Sequence, residues 1–342
     1  MVFFAPKKIR LHSIPELQEV FEIFSGKQKF KTVPTGLYEP FSYMLSIGGK
    51  RIRPSLLLAS CELFDGNVSA ALPAAFAIEL FHNFTLIHDD IMDESPLRRG
   101  METVHKKWST NTAIISGDVM LVKAYEYLLL SENRLPENED CNILTSILKL
   151  FNHTATLVCE GQQADMNFER QDNVTVQDYL SMIEMKTATL LAASLKIGAM
   201  IADASNENAT QIYEFGKHIG IAFQLQDDWL DTFGDVSKTG KQTGGDILRG
   251  KKTFLFIEAI NTANENQREH LMRMYDDKSI ANDKKIKAVK DIFNELNISE
   301  LTKTEMLKHY KQAIEALNKI TVTDDKKVVL RAFADLIVER NS

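Results

Sequence analysis

The sequence predicts an all-α protein. Helix breakers are few, with 8 prolines and 16 glycines among 342 residues, and alternating β-branched runs are scarce. Apolar residues instead recur at positions i, i+3, i+4 and i+7, the spacing of one face of an α-helix. With 44% hydrophobic residues the chain can bury a large core. Because no composition shift marks a linker, we expect a single domain over residues 1–342.

The helical pattern is strongest in five segments. Residues 73–92 are apolar nearly all round, as expected of a buried helix. Similar patterns cover residues 111–130, 142–169, 175–202 and 208–233, and shorter amphipathic segments follow them. Loop signals fall at residues 48–49, 95–96, 131–140 and 234–250. The last of these loops contains five of the 16 glycines, so we expect it to be mobile.

Composition also narrows the function. A formal net charge of -7 offers no basic surface for nucleic acid. The N-terminus lacks the apolar segment of a signal peptide, and the most apolar stretch is too short to span a bilayer. The cysteines lie far apart without a CxxC pair, which is typical of reduced thiols: Cys61, Cys141 and Cys159. We therefore expect a cytoplasmic protein with no nucleic-acid partner and no stable membrane insertion.

Two DDxxD motifs carry the clearest chemical signal. The first aspartate motif consists of Asp89, Asp90 and Asp93, and the second of Asp227, Asp228 and Asp231. Helix positions i and i+4 share a face, so each motif points two like charges the same way, which destabilises a helix. Mg²⁺ resolves this repulsion, because it prefers oxygen ligands and bridges phosphate groups. Solvated helix ends are the alternative interpretation, but they explain one such motif better than two.

Basic residues accompany both motifs at turns and helix ends. Lys50, Arg51 and Arg53 follow two glycines, and Arg98 and Arg99 follow the first aspartate motif. A guanidinium matches two phosphate oxygens at once. Further basic residues lie between the motifs and beside the glycine-rich loop: Lys186, Lys241, Lys251 and Lys252. Each alone is more often a solvated surface charge, but their shared placement predicts phosphate binding.

In this order the residues resemble the polyprenyl synthetases, also called trans-isoprenyl diphosphate synthases. The matching segments are residues 49–54, 86–93, 98–100, 117–118, 161–165, 186–187, 223–231 and 244–252. The last 85 or so residues show only a helical pattern. The resemblance implies the isoprenoid-synthase fold, an antiparallel helix bundle around a deep central cavity, with both motifs at its mouth. It also implies a homodimer.

The resemblance further implies a head-to-tail prenyltransferase that joins isopentenyl diphosphate to an allylic diphosphate, with no protein nucleophile. About three Mg²⁺ ions, replaceable by Mn²⁺, would assist. Asp89, Asp93 and Asp227 would hold the metal, and the catalytic group also includes Asp90, Asp228, Asp231, Lys186 and Lys241. The allylic substrate would contact Arg98, Lys186, Thr187, Gln224 and Lys241, with Phe223 and Lys251 also binding substrate. Isopentenyl diphosphate would contact Lys50, Arg53, His82 and Arg99. The glycine-rich loop would act as a lid that excludes water.

Product length depends on the helix that precedes Asp89. Residues 4, 5, 8 and 11 positions before it share one face: Thr85, Phe84, Phe81 and Ile78. At 1.5 Å per residue, Phe84 lies roughly 7.5 Å and Phe81 roughly 12 Å from Asp89 along the axis. On composition alone these rings are as often plain core. Their spacing, however, resembles short-chain members of the farnesyl and geranylgeranyl diphosphate synthase type, so we expect C15 to C20 products.

Three alternatives remain at this stage. A class I terpene cyclase resembles this chain in its first motif, but its second metal motif usually combines Asn or Asp with Ser or Thr and Glu. A non-catalytic partner subunit of a prenyltransferase usually lacks one aspartate motif, and both are intact here. A helical scaffold protein with acidic patches predicts no Mg²⁺-dependent diphosphate release.

Overall fold

The computed structural model describes residues 13–131, 143–171, 173–234, 243–277 and 279–339. Nearly all regular structure in these ranges is helical, which confirms the all-α prediction. The first helices are α1 (Ile14–Gly26), α2 (Thr35–Ser46), α3 (Ile52–Leu63), α4 (Val68–Met92), α5 (Val104–Lys107) and α6 (Thr110–Leu129). The next are α7 (Ile143–Phe168), α8 (Val176–Ile183), a π-helical segment (Glu184–Ala188), α9 (Thr189–Ile201) and α10 (Asn206–Phe233). The last are α11 (Gly245–Arg249), α12 (Phe254–Thr262), α13 (Glu265–Asp276), α14 (Asn282–Glu295), α15 (Ile298–Lys319) and α16 (Asp324–Glu339).

Two departures from the predicted elements have local causes. The segment predicted as one helix over residues 175–202 is interrupted by the π-helical turn of Glu184–Ala188. The predicted loop over residues 234–250 contains the short helix α11, which is bounded by Gly244 and Gly250 with φ angles of 89° and 71°. Its buried Ile247 anchors this turn. The middle of that loop, with Lys241, lies outside the described residues.

Contacts divide the chain into two compact units. Unit 1 consists of Met1–Phe151, Ser194–Ala209 and Val322–Val329, and unit 2 consists of Asn152–Ala193, Thr210–Thr321 and Leu330–Ser342. The sequence predicts a single domain, and the division into two units does not test this prediction.

Helix α4 is the core helix of unit 1. It packs mainly against α3 and α6, with further contacts to α1, α2 and α5. Its Phe76 ring meets the rings of Phe21 and Tyr127 at centroid distances of 6.2 and 4.7 Å. Within the described residues α4 is the one helix long and apolar enough to cross a membrane, and 78% of its most apolar window is buried inside the protein. Its apolar character therefore fits the interior helix that the sequence predicts.

In unit 2, α12 packs against α8 and α15, and α14 packs against α11, α13 and α15. Close approach of α10 to the π-helical segment depends on Gly220. A Cβ atom at this position would lie 2.6 Å from the Cα atom of Ala188, too close for any side chain. This contact sets the π-helical segment directly against the helix that carries the second aspartate motif.

Candidate active site

The first aspartate motif ends α4, and Asp93 forms its C-cap. Arg98 donates to Oδ1 of Asp90 from Nε at 3.0 Å and from Nη2 at 2.5 Å, and its Nη2 also lies 3.3 Å from Oδ2 of Asp89. Asp90 is 1% exposed, and burial raises its pKa even though Arg98 opposes this effect. Asp90 is therefore engaged within the protein, whereas Asp89 and Asp93 are half-buried and nearer to solvent.

A tight hairpin brings Arg98 and Arg99 to this helix end. Its strands pair Leu97 with Glu102 and Arg98 with Met101. The two turn residues, Arg99 and Gly100, have φ angles of 55° and 78°. Positive φ at both positions is the geometry of the two-residue hairpin turn whose twist matches the strands, and it favours glycine at the second. The Arg-Arg-Gly sequence thus aims one arginine at the aspartates and leaves the next exposed.

Arg53 and Arg99 form a cation cluster in unit 1, and the His82 ring lies beside them. Nη1 of Arg53 lies 3.2 Å from Nε2 of His82. Burial and the nearby Arg53 and Arg99 lower the pKa of His82 well below 6.5, so the ring is neutral and can accept this hydrogen bond. Burial also lowers the pKa of Arg53 to about 10. Gly49 has a φ of 145°, which favours glycine, and a Cβ atom there would lie 2.7 Å from the guanidinium carbon of Arg99 and displace it.

Arg51, the remaining arginine of this segment, has a structural role. Its guanidinium pairs with buried Glu79, lies 3.0 Å from Glu22, and donates to the carbonyl oxygen of Leu45 at 2.9 Å. Among the described residues no carboxylate forms a salt bridge with Arg53 or Arg99, although the charge of Glu79 attracts both, and Nε of Arg53 is buried without an acceptor. A cation cluster of this kind is suited to bind a polyanion such as a diphosphate.

Sequence reasoning missed Glu79, although one signal was present. It is the only acidic residue in α4 before the aspartate motif, and an isolated carboxylate in a buried helix needs a partner. We expect Glu79→Gln to lower the free energy of unfolding by about 3 kcal/mol, because it leaves the Arg51 charge buried without its main counter-ion. Denaturant titration would measure this loss.

Glu300→Gln is the matched control, since Glu300 forms an exposed pair with Lys303 at 2.9 Å. It should change the free energy of unfolding by less than about 1 kcal/mol. Equal effects of the two substitutions would contradict the structural role assigned to Glu79.

The second aspartate motif lies near the end of α10 in unit 2. Asp227 is exposed, Asp228 is 5% exposed, and Asp231 is half-buried. Oδ2 of Asp231 accepts the backbone N–H of Asp246 at 2.9 Å, and its carbonyl oxygen accepts the N–H of Gly244 at 2.6 Å. Burial and the nearby Asp246 carboxylate raise the pKa of Asp231 to about 6. The Gly-Gly-Asp segment thus wraps around Asp231 and leaves Asp227 as the open carboxylate of the motif.

A hydrogen-bond chain connects α10 to the π-helical segment. Thr187 donates to Oε1 of Gln224 at 3.1 Å, and Nε2 of Gln224 donates to Oδ1 of Asp228 at 2.9 Å. The other oxygen of Asp228 accepts from the hydroxyl of Tyr179, a residue that sequence reasoning missed. Burial and the Asp246 charge raise the pKa of Asp228 well above its usual range. The predicted residues Thr187, Gln224 and Asp228 are thus brought together.

Two predicted lysines meet at Asp165. Nζ of Lys186 lies 2.6 Å and Nζ of Lys251 lies 3.9 Å from its Oδ2. Lys186 belongs to the π-helical segment, and a Cβ atom at Gly161 would lie 2.4 Å from the backbone nitrogen of Lys186. Such turns often occur at functional sites, where they redirect side chains. Gly161 therefore makes room for the turn that presents Lys186.

The aromatic rings before Asp89 form a continuous row in unit 1. The His88 ring packs on Phe84 at 4.7 Å between centroids, Phe84 on Phe81 at 5.6 Å, and Phe81 on Phe151 at 5.2 Å. Phe81 is 1% exposed and Phe84 is half-buried. Of the other predicted positions on this face, Ile78 is buried and Thr85 donates to the carbonyl oxygen of His82 at 2.8 Å.

For two further predicted residues the structure gives mainly their exposure. Lys50 is exposed, and its carbonyl oxygen accepts the side-chain amide of Gln18. Phe223 is half-buried in α10, directly before Gln224. Gly117 has a clear role, because a Cβ atom there would lie 2.6 Å from Nε2 of His88.

The donor set fits Mg²⁺ that arrives with a phosphate ligand. In the ranges that the structure covers, no group of three or more His, Cys, Asp or Glu side chains converges as a ready-made metal site. Half-buried Asp89 and Asp93 and exposed Asp227 can each offer oxygen ligands. Mg²⁺ commonly binds one or two carboxylates and completes its shell with water and phosphate oxygens. The donors of each motif therefore suit a metal–diphosphate complex better than a free ion.

Comparisons with known proteins agree on one family. Residues 34–293 match the family model described as polyprenyl synthetase. The geranylgeranyl diphosphate synthase of Methanosarcina mazei is 45% identical over 229 residues, 67% of this chain and 69% of that protein. The short chain isoprenyl diphosphate synthase of Methanothermobacter thermautotrophicus is 36% identical over 307 residues, 90% of this chain and 91% of that protein.

Solved structures give the same result for the fold. A crystal structure of geranylgeranyl pyrophosphate synthase matches with a TM-score of 0.90 and 37% identity, over 97% of this chain and 100% of that chain. The geranylgeranyl pyrophosphate synthetase from Pyrococcus horikoshii matches with a TM-score of 0.83 and 33% identity, over 94% of each chain.

Proposed function

This chain belongs to the polyprenyl synthetase family and is a prenyltransferase, and we propose that it joins isopentenyl diphosphate head to tail to an allylic diphosphate. The allylic substrate is dimethylallyl, geranyl or farnesyl diphosphate, and the products are an all-trans C15 to C20 prenyl diphosphate and free diphosphate. The observation that carries this proposal is the cation cluster of Arg53 and Arg99 beside His82, in which no described carboxylate forms a salt bridge with either arginine and Nε of Arg53 is buried without an acceptor. It offers a diphosphate site in addition to the two aspartate motifs, and a two-substrate reaction requires two such sites.

The proposed roles of the acidic residues come from the family resemblance, and their exposure is compatible with these roles. Asp89, Asp93 and Asp227 would hold about three Mg²⁺ ions on the allylic diphosphate, and Mn²⁺ could replace them. Asp90 and Asp231 would support these metal ions indirectly, through water or neighbouring residues. This role agrees with the hydrogen bonds that already engage their carboxylates. When bound, the metal stabilises negative charge on the leaving diphosphate.

The basic residues divide between the two substrates. Lys50, Arg53, His82 and Arg99 bind the diphosphate of isopentenyl diphosphate. Arg98, Lys186, Thr187, Gln224 and Lys241 contact the allylic substrate, with Phe223 and Lys251 beside them. Two contacts support the assignment of these residues to one site: Lys186 forms a salt bridge with Asp165, and Thr187 forms a hydrogen bond with Gln224.

The chemistry needs no protein nucleophile. Positive charge around the allylic diphosphate favours departure of the diphosphate, which leaves an allylic carbocation. The double bond of isopentenyl diphosphate attacks this cation, and a proton then passes to the released diphosphate. The protein holds the two substrates in reacting geometry and excludes water from the cation.

Product analysis tests the proposal directly. The protein is incubated with labelled isopentenyl diphosphate and each allylic diphosphate in turn, with Mg²⁺ or with a chelator. We expect C15 to C20 prenyl diphosphates with Mg²⁺ and none with the chelator. Cyclic hydrocarbons would indicate a terpene cyclase instead. No product from any substrate pair would contradict the proposal and favour a non-catalytic subunit or scaffold.

Arg99→Gln tests the division of the two substrates. We expect KM for isopentenyl diphosphate to rise about 10-fold or more, the loss of a hydrogen bond to a charged group, while KM for the allylic substrate changes less than about twofold. Steady-state kinetics with each substrate varied in turn would measure both. Arg268→Gln is the control, because exposed Arg268 donates to the carbonyl oxygen of Ile260 in unit 2. Equal changes in the two KM values would contradict the assignment.

We also propose that the protein acts as a homodimer in the cytoplasm. Three apolar residues of α6 recur at heptad spacing and are exposed, Ile115 by 55%, Val122 by 57% and Leu129 by 49%. A stripe of this kind is typical of a surface covered by another chain. Cys61 and Cys159 are free thiols, which fits a reducing compartment.

Val122→Glu should convert the dimer to a monomer, because it places a charge in the centre of the stripe. Light scattering coupled to size-exclusion chromatography would measure the molar mass. Val328→Glu, at a 57% exposed residue outside α6, is the control and should leave the mass unchanged. A wild-type protein that elutes as a monomer would overturn the homodimer proposal.

A further inference from the structure

Tyr179 is at the centre of a hydrogen-bond network that the proposed roles leave unexplained. Its side chain is 2% exposed, and its hydroxyl donates to Oδ2 of Asp228. Asp228 is itself buried and receives a second hydrogen bond on Oδ1, from Nε2 of Gln224 at 2.9 Å. Each oxygen of this carboxylate therefore already has one donor from the protein.

These two bonds make Asp228 a poor metal ligand. A metal ion would have to reach a carboxylate that is only 5% exposed and compete there with two donors from the protein, and a donor left without its acceptor is costly. The neighbouring Asp227 is exposed and pays no such cost. Successive residues of an α-helix project about 100° apart. An inward-pointing Asp228 therefore sets the rotation of α10 that leaves Asp227 facing outward.

The network extends beyond α10. Gln224, which donates to Asp228, accepts from the hydroxyl of Thr187 at 3.1 Å in the π-helical segment. Tyr179 itself lies in α8, whose start is fixed by the capping box of Thr175 and Asp178. The Tyr179 ring also packs against Phe254 at 6.5 Å between centroids. Tyr179 thus connects α8, α10 and α12 at the level of the second aspartate motif.

We propose that Tyr179 is a positioning residue, whose hydrogen bond to Asp228 holds α10 in the rotation that presents Asp227 to the metal–diphosphate complex. Asp228 acts through this bond and not as a metal ligand. The proposal rests on the proposed function, because it requires Asp227 to bind that complex.

Tyr179→Phe removes the hydroxyl and keeps the ring against Phe254. The matched control is Tyr310→Phe, since the hydroxyl of Tyr310 in α15 donates to Oδ1 of Asp335 in α16 at 2.6 Å. Inorganic pyrophosphate serves as the probe, and the rise in melting temperature it causes is followed as Mg²⁺ is added. We expect Tyr179→Phe to need about 10-fold more Mg²⁺ for half of this rise, and Tyr310→Phe to match the wild type.

Steady-state kinetics provide a second readout. We expect Tyr179→Phe to lower kcat about 10-fold and to leave KM for isopentenyl diphosphate within about twofold. A lower melting temperature with an unchanged Mg²⁺ requirement and unchanged kcat would overturn the proposal, because the bond would then serve stability alone. Failure of the wild-type protein to form product would instead contradict the proposed function.

Asp228→Asn keeps the test decisive even if Tyr179→Phe does not fold. If Asp228 is a positioning residue, its replacement by Asn should raise the Mg²⁺ requirement but should not abolish the pyrophosphate response. As a metal ligand, it should abolish that response as Asp227→Asn does, which would overturn the proposal. The double variant Tyr179→Phe/Asp228→Asn should need no more Mg²⁺ than the more impaired of the two single variants. If the two effects multiplied instead, the two residues would act separately.

Discussion

Asp227→Asn is expected to lower kcat by about 10³-fold and to leave the melting temperature nearly unchanged. Asp227 is the exposed carboxylate of the second aspartate motif, so its charge is available to a metal ion and is not needed for folding. Loss of this proposed metal ligand should weaken stabilisation of the departing diphosphate, where charge develops in the transition state. Single-turnover kinetics at saturating substrate would measure the effect.

Asp291→Asn is the control for this substitution. Asp291 forms an exposed pair with Lys287 at 2.6 Å, and loss of that pair should leave kcat within about twofold of the wild type. If Asp227→Asn retained kcat within about 10-fold, with the same dependence on Mg²⁺, Asp227 would not be a metal ligand.

Replacing Phe84 and Phe81 by alanine is expected to lengthen the product beyond C20. The Phe84 ring is half-buried and lies nearer to Asp89, and the fully buried Phe81 ring lies behind it at 5.6 Å. A growing chain that runs along this face of α4 would meet the rings in that order. Phe84→Ala should therefore lengthen the product first, and the double variant should lengthen it further. Thin-layer or mass analysis of labelled products would measure chain length.

Stability limits this experiment, because removal of a fully buried phenylalanine costs about 3 to 5 kcal/mol. Phe81→Leu is a milder second variant. Phe76→Leu provides the control, since Phe76 lies in the same helix but packs against Phe21, Phe24 and Phe30. It should lower stability without changing the product. Unchanged product length in the Phe84 and Phe81 variants would show that these rings are plain core.

Much of this architecture was predictable because it depends on local pattern. The apolar spacing predicted α4, α6, α7 and α10 to within five residues at each end, since burying one helix face requires that spacing. The family was predictable from its motifs, and the comparisons confirm it. Chemistry that requires unusual residue combinations leaves its signature directly in the sequence.

Tertiary partners were not predictable in this way. Nothing near Tyr179 in the sequence indicates that its hydroxyl donates to Asp228, because the bond joins different helices. The three cations of residues 50–53 looked alike, yet Arg51 is buried against Glu79 while Arg53 lies beside His82. Pairing of this kind depends on how helices pack, and a single sequence carries little signal for it.

The π-helical turn of Glu184–Ala188 changes the phase of a long helical segment. A π turn contains one residue more than the α turn it replaces, so α9 continues as if the chain had gained a single residue after α8. Side chains before and after the turn are therefore offset by about 100° from the positions that an uninterrupted helix would give them. An alignment or a design that treats residues 176–201 as one regular helix would assign the wrong residues of α9 to the core.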